Sequence, residues 1–420
     1  MRNIDLVIIG GGAAGMAAAV SAYKSGVRDI LIIERNGYLG GVLQQCIHNG
    51  FGLHRFGEDL TGVEFARKYH DMVEELNIPY MLDTFVIEMN DQRQITAVNP
   101  EEGLIQIQAK AIVLAMGCRE RTRNNLLIPG TRGAGILTAG SAQRYLNING
   151  YLPGRKVVIL GSGDIGLIMA RQFVLEGAEV EAVVEVMPYS GGLPRNMKQC
   201  IEDFDIPVYY ESTVSEIKGK ERVSSVVVSC VDENRRPVPG TEFELECDTL
   251  MISAGLIPEN ELTEQAGIEI SKGTKGATVT EDLQTSVPGF FACGNVLHVH
   301  DLVDFVAAEA EEAGAHAAGY ILSGAADGGD IIKVMSGDGT GAAVPQLIHR
   351  GTRQEKVSLM FRPKNKYRDV TVKAVRGDEI IASKKLIAVT PGEMIKLDIP
   401  ASKLSDAADS ITVSLEGGVI

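Results

Sequence analysis

The stretch Asp5–Glu34, DLVIIGGGAAGMAAAVSAYKSGVRDILIIE, constrains this chain more than any other part of it. Leu6–Ile9 is a short unbroken apolar run, the pattern of a strand buried on both faces. Gly10-x-Gly12-x-x-Gly15 follows and opens an Ala-rich helical segment, with Ala14 inside the motif. A second apolar run, Ile30–Ile33, ends on Glu34. Gly10 permits the tight strand-to-helix turn, Gly12 clears space for a pyrophosphate against the backbone, and Gly15 lets helix and strand pack closely. The helix N-terminus offers unpaired N–H groups and partial positive charge to the phosphates. Glu34 is placed to accept hydrogen bonds from ribose hydroxyls. A glycine triplet alone is weak evidence; strand, helix, strand and terminal acid in register make it a dinucleotide site.

The same device recurs. Val157–Leu160 is a strand, Gly161-x-Gly163-x-x-Gly166 follows with Asp164 and Ile165 inside it, and a strand from Val180 ends on Glu185. The interval from first glycine to terminal acid is the same in both copies, so the chain is built to hold two dinucleotides. Each copy has a later buried strand running into a glycine turn: Ala111–Ala115 into Gly117, and Leu250–Ala254 into Gly255. Thr61–Leu76 reads as an amphipathic helix, Pro79–Lys110 as small antiparallel strands, and Leu302–Ile321 as a long Ala- and Glu-rich helix. Tyr151–Arg155 marks the start of a second domain, and Gly324–Gly329 is a linker. Val357–Phe361, Val370–Val375, Glu379–Ala388 and Met394–Ile399 read as strands of a C-terminal all-β module. Between Pro345 and Leu386 stand eleven Lys/Arg and four Asp/Glu, which suits a solvated sheet face or a docking surface for an acidic partner.

A formal charge of −15 argues against nucleic acid and anionic membrane as partners. The six cysteines are scattered, without a CxxC or metal-type spacing, so no metal is expected and a reducing compartment fits. No apolar run is long enough to span a bilayer, and Gly10–Gly12 interrupts any signal-like core, so a cytoplasmic location is expected.

These motifs together resemble the two-dinucleotide-binding-domain flavoproteins, the pyridine nucleotide-disulfide oxidoreductase superfamily. The resemblance covers residues 1 to about 322 and rests on both glycine motifs with their acids, Ala115-Met116-Gly117, Ala254–Pro258 and Thr285–Asn295. It implies an α/β fold with two Rossmann-like domains and a small C-terminal all-β module. FAD would lie on the first unit and NAD(H) on the second. The FAD domain, 1–125 and 285–325, would be interrupted by the NAD domain, 150–270, with the β module at 331–420 as a partner or dimer interface. The FAD set is then Gly10, Gly12, Ala14, Gly15, Glu34, Arg35, Gly41, Val86, Ala115, Gly117, Gly294 and Asn295. The NAD set is Gly161, Gly163, Asp164, Ile165, Gly166, Glu185 and Gly255. More narrowly, Cys293–Asp301 and the β tail look like a subgroup found with a second flavoprotein, as in opine oxidases, hydrogen cyanide synthase and glycerol-3-phosphate dehydrogenase operons.

Three positions depart from the superfamily pattern: Asn295 replaces the usual acid, the redox cysteine pair is missing around Leu43 and Cys46, and Ile168 replaces a common glutamate. The resemblance implies hydride transfer from C4 of NADH to N5 of the flavin, which needs two rings held in line more than it needs acid–base help. Glu185, followed by Val186-Met187-Pro188 with no arginine, predicts NADH over NADPH. His298 and His300 are candidate proton donors to reduced flavin or its acceptor, or else packing residues; Cys46 is a candidate peroxidatic thiol, or else an inert buried one. The expected function is an FAD-dependent oxidoreductase exchanging electrons with a small-molecule or protein acceptor, foremost a partner flavoprotein of a glycerol-3-phosphate dehydrogenase-like complex, in an oligomeric assembly. A free-standing NADH oxidase or peroxidase is the alternative, and a non-catalytic FAD-binding scaffold the third.

Overall fold

Gly103–Leu114 is the strand on which the first half of the molecule is assembled, and its sequence shows why. Its first half alternates exposed and buried residues and pairs antiparallel with Gln94–Asn99; its last residues, Ala111–Leu114, are all buried and lie between two parallel neighbours, Arg2–Ile9 and Phe290–Ala292. Alternation suits a sheet with one solvated face, and a continuous apolar run suits a parallel strand covered on both faces. The computed structural model describes residues 1–324, 329–405 and 409–419. The chain divides into two compact units, Met1–Cys118 with Pro258–Ile420, and Arg119–Ile257. The expected Gly324–Gly329 linker lies mostly outside the described residues.

In the first unit the sheet runs Tyr80–Met81, Ile30–Ile33, Arg2–Ile9, Gly103–Leu114, Gln94–Asn99, Phe85–Met89, with Phe290–Ala292 added beside Gly103–Leu114. The helices Ala13–Lys24 and Val303–Ser323 pack on each other through small residues. Gly314 decides how closely: a Cβ there would lie 2.1 Å from the Ala18 carbonyl oxygen. The Thr61–Leu76 expectation is met by a helix over Gly62–Glu75, with Thr61 capping it and Glu64 closing a capping box.

The C-terminal module belongs to the same unit. Its five-stranded sheet runs Leu347–His349, Ile331–Ser336, Ser410–Val419, Tyr367–Arg376, Glu379–Val389, and Lys356–Phe361 pairs with Ile395–Pro400. Val357, Leu359, Phe361, Val370, Val372, Ile399, Ile411 and Val413 form its core. Ile331–Ser336 and Ser410–Val419 are strands the sequence pattern did not single out; they pair in parallel, far apart in the chain.

The second unit repeats the parallel arrangement: Ile136–Thr138, Thr249–Ile252, Lys156–Leu160, Glu179–Val184, Val208–Tyr209. Its sheet therefore draws its first strand from chain ahead of Tyr151–Arg155. The antiparallel strands Ser212–Gly219, Val223–Cys230 and Phe243–Glu246 complete it. Ile168 is half-buried among the apolar residues of this unit.

Because main chain meets main chain at Gly314, Gly314→Ala is expected to destabilise the protein by about 1–3 kcal/mol through overpacking. Urea unfolding checks this: the midpoint falls while the slope stays the same.

Candidate dinucleotide sites

The first unit builds one cradle. A Cβ on Gly10 would lie 2.4 Å from the Ala115 carbonyl oxygen, and one on Gly15 would lie 1.8 Å from the Gly10 carbonyl oxygen. Both positions must be glycine for strand, turn and helix to close up. Gly12 differs: a Cβ there would find only the Gly41 Cα, at 4.0 Å, so the backbone faces open space. Gly12 is the N-cap of the helix Ala13–Lys24 and supplies no side-chain cap. The first N–H groups of that helix are thus presented to a ligand, as an anion requires. Gly40 and Gly41 border one side of Gly12, with Gly40 N–H donating to the Gly11 carbonyl at 2.8 Å.

Glu34 is buried at the end of its strand. One carboxylate oxygen accepts from Gly11 N at 2.7 Å, and the other accepts from Asn36 N and Nδ2, both at 2.8 Å. The donors at Gly11 and Asn36 fix the carboxylate, and Oε2, with a single partner, retains a lone pair for a ribose hydroxyl. Gly11 and Asn36 are site residues the sequence reading missed; only their position flanking Gly10 and Glu34 could have signalled them. Arg35 is exposed, and Val86 is buried in the strand Phe85–Met89. Gly294 lands on the same cradle, where a Cβ would meet that of Ala14 at 3.0 Å. Gly117, with φ +74°, has nothing within 4 Å of where its Cβ would be.

The second unit has the same construction. A Cβ on Gly161 would lie 2.1 Å from the Ser253 carbonyl oxygen, one on Gly166 2.5 Å from the Gly161 carbonyl oxygen, and Gly163 again faces open space. Glu185 is buried; one oxygen accepts from Ser162 N at 2.9 Å and Oγ at 2.6 Å, the other from Met187 N at 2.9 Å. Asp164 does not face outward as a free acid. Its Oδ1 accepts from Leu193 N at 2.8 Å and Asn196 Nδ2 at 2.6 Å, while Ser190 Oγ donates to the Ser162 carbonyl at 2.9 Å. These bonds fasten the 190–193 loop across the glycine motif. Ile165 lies in the first turn of the helix Asp164–Leu175, and Gly255 adopts φ +98°. Both cradles therefore fit a dinucleotide: closed where chain must approach chain, open where a phosphate must approach backbone, and ended by a fixed carboxylate.

Around Gly294 the structure brings His298 and His300 together and adds Glu309, which the sequence reading missed. Glu309 is 4% exposed. Its Oε2 lies 2.6 Å from His298 Nε2, and its Oε1 lies 3.1 Å from His300 Nε2 and 2.7 Å from Gly294 N. Burial pushes this carboxyl up, but the two imidazoles outweigh burial and hold it far below the usual carboxylate range. Burial pushes His298 toward its neutral form. The signal in sequence was an acid on the small-residue face of the helix, one turn before Ala313. These three residues, and likewise Glu281, Asp282 and His349, bring ligand-type atoms within 4.8 Å of one another. In the first group hydrogen bonds account for that spacing.

Asn295 Oδ1 accepts from His300 N at 3.0 Å, and its Nδ2 lies 3.7 Å from Cys118 Sγ. Cys46 is elsewhere, at the end of the short 3₁₀ helix Gly41–Gln45, packed where Gly62 makes room for it. Its thiol donates to the Val42 carbonyl at 3.4 Å, and burial pushes its pKa up to about 12.

A family model described as pyridine nucleotide-disulphide oxidoreductase matches residues 4–317. Among curated proteins, the chain is 26% identical to hydrogen cyanide synthase subunit HcnB of Pseudomonas protegens, over 70% of this chain and 66% of that one. It is 25% identical to an opine oxidase subunit of Agrobacterium tumefaciens (69% and 61%), and 26% identical to an NADH oxidase of Methanocaldococcus jannaschii (72% and 64%). The matches thus span less than two thirds of these relatives' own lengths. Among solved structures, thioredoxin reductase of T. acidophilum superposes with a TM-score of 0.62 at 25% identity, covering 77% of this chain and 99% of that one. No helix among the described residues is long and apolar enough to cross a membrane.

A thiol with a pKa of about 12 is almost wholly protonated at pH 8, and the thiolate is the reactive form. Cys46 is therefore expected to escape iodoacetamide at pH 8 in the folded protein and to react in urea. Peptide mass spectrometry checks this, with exposed Cys230 as the internal positive control.

Proposed function

The chain belongs to the pyridine nucleotide-disulphide oxidoreductase family, and from that premise we propose that it is the NADH-using flavoprotein subunit of a dehydrogenase complex with a second flavoprotein. As a member of that family it is an FAD-dependent oxidoreductase. The observation that carries the reading is the duplicated cradle, each copy ended by a buried carboxylate held by main-chain N–H groups. When bound, FAD and NAD(H) supply the two-electron chemistry. The chain's own part is to bind and orient them: Gly12 and Gly163 admit pyrophosphate to the backbone, and Glu34 and Glu185 accept from ribose hydroxyls. Glu185, with the 190–193 loop fastened beside it, favours a 2′-hydroxyl and repels a 2′-phosphate.

The partner reading rests on two points. Two of the relatives named above are subunits by name. The β module lies beyond the family match, carries the basic excess of an otherwise acidic chain, and reaches the loop after Gly294. Arg362 of the module pairs with Asp301 and donates to the Val299 carbonyl at 3.0 Å, while Met394 N donates to Asp301 at 2.6 Å. The likeness to an NADH oxidase favours a second reading, in which oxygen is the acceptor. Burial, which pushes the Cys46 thiol up to about 12, counts against a peroxidatic thiol in that reading.

Glu185→Gln is expected to raise KM for NADH roughly 10- to 100-fold with kcat little changed, the loss of about 1.5–3 kcal/mol for a charged hydrogen bond. Steady-state kinetics with both nicotinamide cofactors check it, and equal use of NADPH by the unaltered protein would refute the assigned preference. For the acceptor, the protein from its native host is expected to co-purify with a second flavoprotein and to reduce physiological substrate only in its company. Rapid oxygen consumption by the isolated chain, matching its rate of NADH bleaching under argon, favours the oxidase instead.

A further inference from the structure

We propose that Glu309 is a positioning residue that holds the protons of His298 and His300 on Nε2, so that Nδ1 is the nitrogen of each ring that gains or loses a proton. Three N–H groups converge on this one buried carboxylate: Gly294 N at 2.7 Å, His298 Nε2 at 2.6 Å and His300 Nε2 at 3.1 Å. An ionised carboxylate has acceptors only. Each imidazole facing it must then present a hydrogen at Nε2, whether the ring is neutral or cationic. A protonated Glu309 would have to donate to one bare Nε2 while accepting from the other ring and from Gly294 N; a carboxyl flanked by two imidazoles and a main-chain N–H is held ionised instead, which disfavours that mixed arrangement. The electrostatics agree: the imidazoles hold the carboxyl ionised against the effect of burial.

The rings have little freedom to escape this assignment. His298 and His300 stand 4.2 Å apart, tilted by 56°, and both are buried. The loop that carries them is pinned at Val299 and Asp301 by Arg362 and by Met394 N of the β module, and at His300 N by Asn295. The charged and titratable groups facing the pair are Glu309 from the long helix, Arg362 from the module and Asp301 from the loop, with Cys293 buried beside Glu309. The consequence reverses the expectation from sequence. In their neutral forms these residues have no donor left to offer outside the triad. They have two Nδ1 lone pairs, so the loop after Gly294 is a proton acceptor. Its use during turnover rests on the proposed function; the tautomers do not.

The test uses the FAD-loaded full-length protein with ¹⁵N-labelled histidine, read by long-range proton–nitrogen correlation. His298→Asn and His300→Asn assign the two rings among the seven histidines. The expected result is a bare Nδ1 and a protonated Nε2 in both rings at pH 8. In Glu309→Gln the amide NH₂ faces one ring and forces it into the opposite tautomer, so one of the two patterns inverts. A wild-type ring with its proton on Nδ1 would overturn the proposal, and so would stoichiometric metal in the purified protein that is lost in Glu309→Gln. The wild-type spectrum decides even if the variant fails to fold. Failure of NADH to bleach the flavin would refute the proposed function and leave the tautomers standing.

Discussion

Everything in both units depends on backbone being allowed to touch backbone at the end of a parallel strand. Gly10 lies against Ala115 and Gly161 against Ser253, at separations where any side chain would clash with a carbonyl group. The second contact, of Gly15 on Gly10 and Gly166 on Gly161, sets the helix directly over the turn. Only then do the helix N–H groups and the carboxylate on the next strand point at a common space. The open flank at Gly12 and Gly163 follows from the closed ones: the same tight turn that presses two glycines against carbonyl groups leaves no carbonyl against the third. This is why one constraint, met twice, produces two sites of the same kind.

The helix Val303–Ser323 gathers the rest of the first unit, and it does so through acids on an otherwise small-residue surface. Asp304 accepts from the main chain of Gly52, His54 and Arg55 and so ties down the loop that follows the Gly40–Gly41 turn. Glu309 holds Gly294 and the two histidines. Glu311 accepts from Tyr69 and pairs with Arg55, joining the helix Gly62–Glu75. Alanines and Gly314 let the helix sit close enough to Ala13–Lys24 for these short reaches to work. Buried carboxylates are expensive unless several donors meet them. Here the donors come from different segments, so satisfying each acid also fixes tertiary structure.

What the sequence disclosed and what it withheld divide along the same line. The cradles were legible because every part of one is local: strand, three glycines, helix and acid fall within one short stretch. The two halves of Gly103–Leu114 carry their environments in their burial pattern, yet nothing in the residues says which strand lies beside which. Ile331–Ser336 and Ser410–Val419 escaped notice because neither is convincing until the other is beside it. Glu309, Ser162 and the Arg362–Asp301 pair act through partners distant in sequence or through a side chain inside a turn, and composition cannot show that. Cys46 falls where a redox cysteine would, and the sequence left a peroxidatic and an inert buried thiol both open; the surrounding packing, visible only in three dimensions, pushes its pKa up to about 12.

Asn295 stands where the resemblance calls for an acid, and its surroundings accommodate the amide. Its carbonyl oxygen accepts from His300 N, and its NH₂ faces Cys118 Sγ. A carboxylate could do the first, and could meet the sulfur only by accepting from its S–H rather than by donating to it. It would also add a negative charge at the residue after Gly294, whose N–H the buried Glu309 accepts from, and Glu309 is held ionised by two imidazoles. Like charges brought close together each disfavour the other's ionised form. The chain avoids that conflict by keeping a single buried charge at Glu309, where three donors meet it, and a neutral group at Asn295, where one donor and one weak acceptor are available. Charge at this turn is thus set by the helix rather than by the turn itself, and the histidine loop is shaped to match it.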